Sequence, residues 1–161
     1  MIIGQATTLQ RQWGEELIVA LTETHAGKIL KRRAGTKGGF QCHVKEENHY
    51  LLSGRLLLRT RANHETKEMI VEAGACWTVP PLTVHQEEAL TDCVIFEVSD
   101  PTTNDRFAIE PDPGGLISMS TEDAVMLLRG LASAARKKAA RCDHMANQIR
   151  HRGSLERVID T

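Results

Sequence analysis

Gln41, His43, Lys45, Glu47 and His49 occupy alternate positions of one short stretch of the chain. In an extended strand alternate side chains share a face. That face therefore carries an amide, two imidazoles, an ammonium and a carboxylate, with no aliphatic residue among them. The other face reads Cys42, Val44, Glu46, Asn48 and Tyr50. Imidazoles and carboxylates bind divalent metals and move protons near neutral pH. Further on, GACWTVPPLTVH (74–85) brings His85 after a proline turn, and Glu87 follows two residues later on the same face. His43 and His85, on adjacent strands, can converge on one ion, with Glu47 as the carboxylate. Such a two-His-one-carboxylate set leaves positions open for water or substrate. Glu87 can shuttle a proton. His49 has three readings: a further ligand, a general acid or base, or a residue lining the pocket.

These groups need a scaffold of short strands. Residues 16–21 and 28–32 read as strands joined by a turn at 25–27, and Gly35–Gly39 reads as a flexible loop leading into the stretch at 41–50. Residues 55–60, 67–71, 76–79, 84–88 and 93–98 continue the series, separated by Gly, Pro or Asp turns, with a hairpin tip at 62–66. Residues 1–10 read as irregular, with Trp13 as an anchor against the barrel. This spacing suggests a sandwich or small barrel. The pattern changes after PDPGG (111–115). Ser120 reads as the N-cap of a helix with acids in its first turn. Residues 124–149 then form a long amphipathic helix of roughly 40 Å. Gly153 is expected to end it, with a short second helix over 154–159. The organisation read from the sequence is a β-barrel over 1–115 and a helical extension over 116–161.

Composition bounds the rest. With 161 residues, 41% hydrophobic and 25% charged, the chain has the profile of one soluble domain, and a net charge of −1 points to no nucleic-acid or membrane partner. No apolar run is long enough to span a bilayer, and a cytoplasmic location is expected. Cys42, Cys76, Cys93 and Cys142 form no C-x-x-C pair and read as buried, reduced thiols. The basic tract at 136–152 reads as a solvated helix face. His25 and His64 fall at turns, and His144 and His151 on the helix, all as surface residues.

The two chemistry-bearing segments resemble the two motifs of the cupin superfamily, Gly-x5-His-x-His-x3-Glu-x6-Gly and Gly-x5-Pro-x-Gly-x2-His-x3-Asn. Gly35, Gln41, His43, Glu47 and Gly54 fit the first, with Gln41 in place of the first His. Gly74, Pro80 and His85 fit the second, with Leu82 in the usual Gly place and Ala89 in the usual Asn place. The Gln-x-His pattern is similar to that of mannose-6-phosphate isomerases. Arg11-Gln-Trp-Gly14, Gly27-Lys-Ile-Leu30 and Phe96-Glu-Val98 resemble flanking segments of that family. The likeness covers roughly residues 11–112.

The resemblance implies a mostly β, single-domain jelly-roll barrel with the helix appended. It also implies Gln41 as a fourth, weaker oxygen ligand beside His43, Glu47 and His85. Lys45 stands at the family's basic position, where it can hold an anionic substrate group or a developing enolate oxygen; otherwise it is a lysine pointing at water. The expected cofactor is a divalent metal ion, zinc first, with manganese, nickel or iron admissible. The expected activity is aldose–ketose isomerisation of a sugar or sugar phosphate by a homodimer. A non-haem iron dioxygenase and a non-catalytic binding barrel are the rival readings. The family's Arg near the end of the barrel falls on Ala108 when Glu110 is matched to its acid, with Arg106 two residues away.

Overall fold

In the computed structural model, described for residues 4–62, 65–101, 106–111, 117–118 and 121–159, thirteen strands precede one long helix. The strands are β1 (Thr7–Arg11), β2 (Gly14–Leu21), β3 (Ala26–Arg32), β4 (Gln41–His43), β5 (Glu47–Ser53), β6 (Arg55–Ala62) and β7 (Glu65–Glu72). They continue as β8 (Cys76–Val79), β9 (Val84–Ala89), β10 (Cys93–Ser99), β11 (Arg106–Ala108), β12 (Glu110–Pro111) and β13 (Ile117–Ser118), followed by α1 (Thr121–Ile159). A six-stranded sheet runs β1-β2-β3-β10-β5-β8 and a five-stranded sheet β11-β4-β9-β6-β7, every pairing antiparallel. Two such sheets packed face to face form a jelly-roll barrel.

Alternation decides what the interior contains. Leu30, Leu51, Leu56, Cys93 and Ile95 point inward and form the core, with Trp13 and Trp77 packed beside it. Toward the other end of the same strands the inward positions become Glu16, Lys28, His49 and Glu97. One end of the barrel is thus an oily plug and the other a charged chamber.

Four features differ from the sequence reading. The stretch 41–50 is not one strand: it breaks at Val44–Glu46, so β4 belongs to one sheet and β5 to the other. Gly35–Gly39 is not a free loop. Gly35 N–H bonds the Ala89 carbonyl, Ala89 N–H bonds Thr36 and Gly38 N–H bonds Glu87, so the segment lies along β9 and continues the line of β4. Residues 7–10, read as irregular, join Arg11 to form β1 by pairing with β2. Finally, α1 continues through Gly153 to Ile159, because a glycine within a helix costs only about 1 kcal/mol and does not by itself end one. The Ser120 cap, the hairpin tip at His64 and the side chain of His151 lie outside the described residues.

Backbone geometry fixes two turns, one at the apolar end of the barrel and one beside the site. Gly54, at φ 95°, joins β5 to β6, where an added Cβ would stand 2.3 Å from the Asp92 carbonyl oxygen. Leu82 holds φ 64°, the left-handed conformation that glycine would take more readily. Its N–H donates to the His43 carbonyl at 2.7 Å, which ties the proline turn before β9 to the end of β4.

Leu51 is fully buried between the sheets. Leu51→Ala is expected to cost about 2–5 kcal/mol, read from urea denaturation. A cost below about 1 kcal/mol would mean that the two sheets are not close-packed there.

Candidate functional site

The crossing from β4 to β5 sets the geometry. His43 closes β4 and Glu47 opens β5, and both side chains are buried and face the chamber. β9 pairs with β4 at Gln41↔His85, which carries the His85 ring to the same place. The ligand atoms of His43, Glu47 and His85 lie within 4.8 Å of one another. The His43 Nε2–Glu47 Oε1 separation is 3.7 Å, and His85 Nε2 stands 4.0 Å from Glu47 Oε2.

The donor chemistry fits a divalent ion. His85 Nδ1 lies 2.9 Å from the Thr83 carbonyl, an acceptor only, so Nδ1 carries the proton and the Nε2 lone pair faces inward. Gln41 donates its amide to that lone pair at 3.3 Å. Burial holds His85 below the ordinary imidazole value, although the Thr83 carbonyl, Glu87 and Glu47 oppose the shift. Burial pushes the Glu47 carboxyl up, but His43, Lys45 and His49 together hold it below the usual carboxylate range. A neutral imidazole and an ionised carboxylate are the ligand forms a metal requires.

Around this trio runs a chain of alternating charges. Lys45 Nζ is 3.0 Å from Glu47 Oε1 and 3.6 Å from Glu97 Oε1. Lys28 Nζ is 3.0 Å from the same Glu97 oxygen and 3.5 Å from Glu16. Arg11 closes the series at the rim, 2.8 Å from Glu16. The chamber these residues line has a volume of about 390 Å³, and its apolar lining is confined to Trp13 and Leu30 among the described residues. Buried ion pairs add little net stability because desolvation offsets attraction.

The structure therefore brings Gln41, His43, Lys45, Glu47, His49 and His85 into one chamber. His49 stacks flat on Trp77, with ring centroids 4.9 Å apart and planes 8° from parallel. Its Nε2 points between Glu47 and Glu97, at 3.9 and 4.0 Å. Glu87 also lines the chamber, but its carboxylate is held by Arg32 at 2.7 Å, and the same guanidinium rests on the Trp13 ring. A carboxylate locked in that pair is a poor proton carrier. Lys28, Glu97, Glu16 and Arg32 were not singled out as site residues. Their signal was charged residues at inward positions of otherwise apolar strands, Lys28-x-Leu30-x-Arg32 and Ile95-x-Glu97.

No protein-family model and no curated protein matches the sequence. Solved structures do share the fold. CapF, the capsular polysaccharide assembling protein of Staphylococcus aureus, matches at a TM-score of 0.58 and 19% identity over 65% of this chain and 34% of its own. Oxalate decarboxylase of Bacillus subtilis matches at 0.58 and 18%, over 64% of this chain and 30% of its own. KdgF of Halomonas sp. matches at 0.50 and 20%, over 56% and 80%. The chain spans about a third of the length of the first two. The Bacillus enzyme contains Mn(II) centres. Likeness at this identity concerns the fold and selects no activity.

His85 and Glu47 together predict an acid-sensitive metal-free protein. The unfolded imidazole takes a proton near pH 6.5 while the buried ring stays neutral, so its contribution is full above that value and is lost as pH falls through the lowered folded value. Glu47 acts with the same sign further down, below the ordinary carboxylate value of 4.5. The melting temperature of metal-free protein is expected to be flat at pH 7 and above and to fall below about 6.5, less steeply in His85→Gln. A melting temperature that rises on acidification from about pH 7 to 6 would contradict a neutral buried His85.

Proposed function

We propose that this chain, a cupin by its fold, is a metal-dependent isomerase that moves a proton between neighbouring carbons of a small anionic carbohydrate such as a sugar phosphate. One observation carries the reading. The chamber's four carboxylates (Glu16, Glu47, Glu87, Glu97) are balanced by four cations (Arg11, Lys28, Arg32, Lys45). A divalent ion added to a balanced chamber leaves an excess of positive charge, which favours an anionic ligand. The scarcity of apolar lining disfavours an apolar or aromatic substrate.

His43, Glu47 and His85 would hold the ion, with the Gln41 amide beside them. A bound divalent ion polarises a carbonyl and stabilises the negative charge that develops on its oxygen. Lys45, between Glu47 and Glu97, is placed to face that oxygen as a second positive charge. His49 is oriented by its stack on Trp77 and is the group placed to take and return the proton at Nε2. Arg11, whose side chain is 43% exposed, can meet the substrate's anionic group at the rim. The Arg32–Glu87 pair ties the two sheets together across the chamber.

The test begins with elemental analysis of untagged protein and continues with a screen of aldose and ketose phosphates in deuterated water. About one divalent ion per chain is expected, absent from His85→Ala. Active substrates should gain solvent deuterium at the carbon beside the carbonyl. Lys45→Met should keep the ion and lower kcat/KM at least about 100-fold. Protein that takes up no ion even after soaking would leave a binding barrel, and iron with oxygen consumption would move the assignment to an oxygenase.

A further inference from the structure

The outer face of the six-stranded sheet is apolar where solvent would be expected. Leu17, Ile29, Phe96, Tyr50 and Cys76 stand side by side in register across β2, β3, β10, β5 and β8. Leu52 and Val98 extend this row along the strands. Tyr50, Leu52, Phe96 and Val98 are 37–49% exposed, and among the described residues nothing covers them. A contiguous apolar patch on a sheet face marks an interaction site.

The same chain carries a matching unpartnered element. Along α1, Val125, Leu128, Ala132, Ala135, Ala139 and Cys142 follow alternating spacings of three and four, which aligns them on one side of the helix. All six are exposed. At Gly130 α1 comes close to its own barrel: an added Cβ there would stand 2.9 Å from Val44 Cγ2. At about 100° per residue, Gly130 lies on the opposite side of the helix from Leu128, so the stripe faces away from its own barrel. From Gly130 the helix runs to Ile159, roughly 43 Å at 1.5 Å per residue, enough to cross a sheet of this size.

We propose that the stripe on α1 docks on the outer sheet face of a second copy of this chain, reciprocally, as a two-fold dimer. Charge selects this occupant over a helix-to-helix pairing. α1 contains eight Lys/Arg against four Asp/Glu, whereas the rest of the chain has twelve against seventeen. Arg136 and Lys138 flank the stripe on both edges, so two stripes facing each other would set like charges together. The sheet face is bordered instead by Glu15, Glu46 and Asp100; Lys31 and Arg33 lie beside Glu15, which leaves Glu46 and Asp100 as the acids open to a basic helix. Alanines also let a helix lie close on a sheet, and a two-fold axis buries both stripes and both faces at once.

Two native thiols make the test direct. Cys76 ends the sheet row and Cys142 lies on the stripe, both exposed where the sequence reading has them buried, while Cys42 and Cys93 are buried as expected. The full chain should run as a dimer in size-exclusion chromatography with light scattering, and a short bis-maleimide should convert it to a covalent dimer. Crosslinking should disappear in both Cys76→Ser and Cys142→Ser, because each link joins one of each. Links that survive Cys76→Ser but not Cys142→Ser would mean helix against helix, and the reverse would mean sheet against sheet. Either pattern overturns the proposal, as does a monomer or a dimer that the reagent does not join. Phe96→Asp and Ala135→Glu, on the two sides of the contact, should each yield monomer with bound metal unchanged. If Phe96→Asp does not fold, Ala135→Glu on the solvent-facing stripe decides alone, and a dimer that persists in it refutes the contact.

Discussion

The chain leaves one sheet at His43 and enters the other at Glu47, with three residues between to cross the barrel. Side chains at both ends of that crossing face the same interior. A metal-type trio needs donors from different directions, and this crossing supplies two of them from a few consecutive residues. β9 contributes the third because Gln41 pairs with His85 and because Leu82, in a left-handed conformation, bonds to the His43 carbonyl. Strain of the kind stored at Leu82 is tolerated where surrounding bonds over-determine the backbone. Moving the crossing by one residue would turn His43, Lys45 and Glu47 to the outside.

Electrostatic balance is the second constraint. Four carboxylates and four cations share one chamber, and each buried charge has an opposite neighbour at hydrogen-bond or ion-pair distance. Removing one partner would strand the other in a low-dielectric interior, which costs more than the pair contributes. The oily plug of Leu51, Leu56 and Ile95 at the far end carries the folding free energy, which leaves the chamber free to be polar. Division of the same strands into an apolar end and a charged end lets one small barrel hold both.

Much of this was legible in the residues. Period-two alternation placed Gln41, His43, Lys45, Glu47 and His49 on one face; the strand breaks at 44–46 and its halves join different sheets, yet all five line the chamber. The series of short strands separated by Gly and Pro turns indicated a small barrel, and the uninterrupted run after the PDPGG segment indicated the helix. The local signals that misled were equally physical. A glycine-rich segment looked mobile because glycine permits many conformations. Here its amides are taken up by the free edge of β9 beyond the point where β4 pairs.

By itself the sequence determined which side chains share a face, since that depends only on the alternation of a local backbone. It also determined where strands give way to helix, and that two imidazoles and a carboxylate stand at metal-capable spacing. Only the tertiary structure decided which faces meet. Glu97 reaches Lys28 and Lys45 because β10 lies between β3 and β5, a pairing of segments far apart in the chain. Glu87 is bound to Arg32 rather than free because β3 and β9 face each other across the barrel. Such contacts follow from long-range register between sheets, which no local pattern encodes.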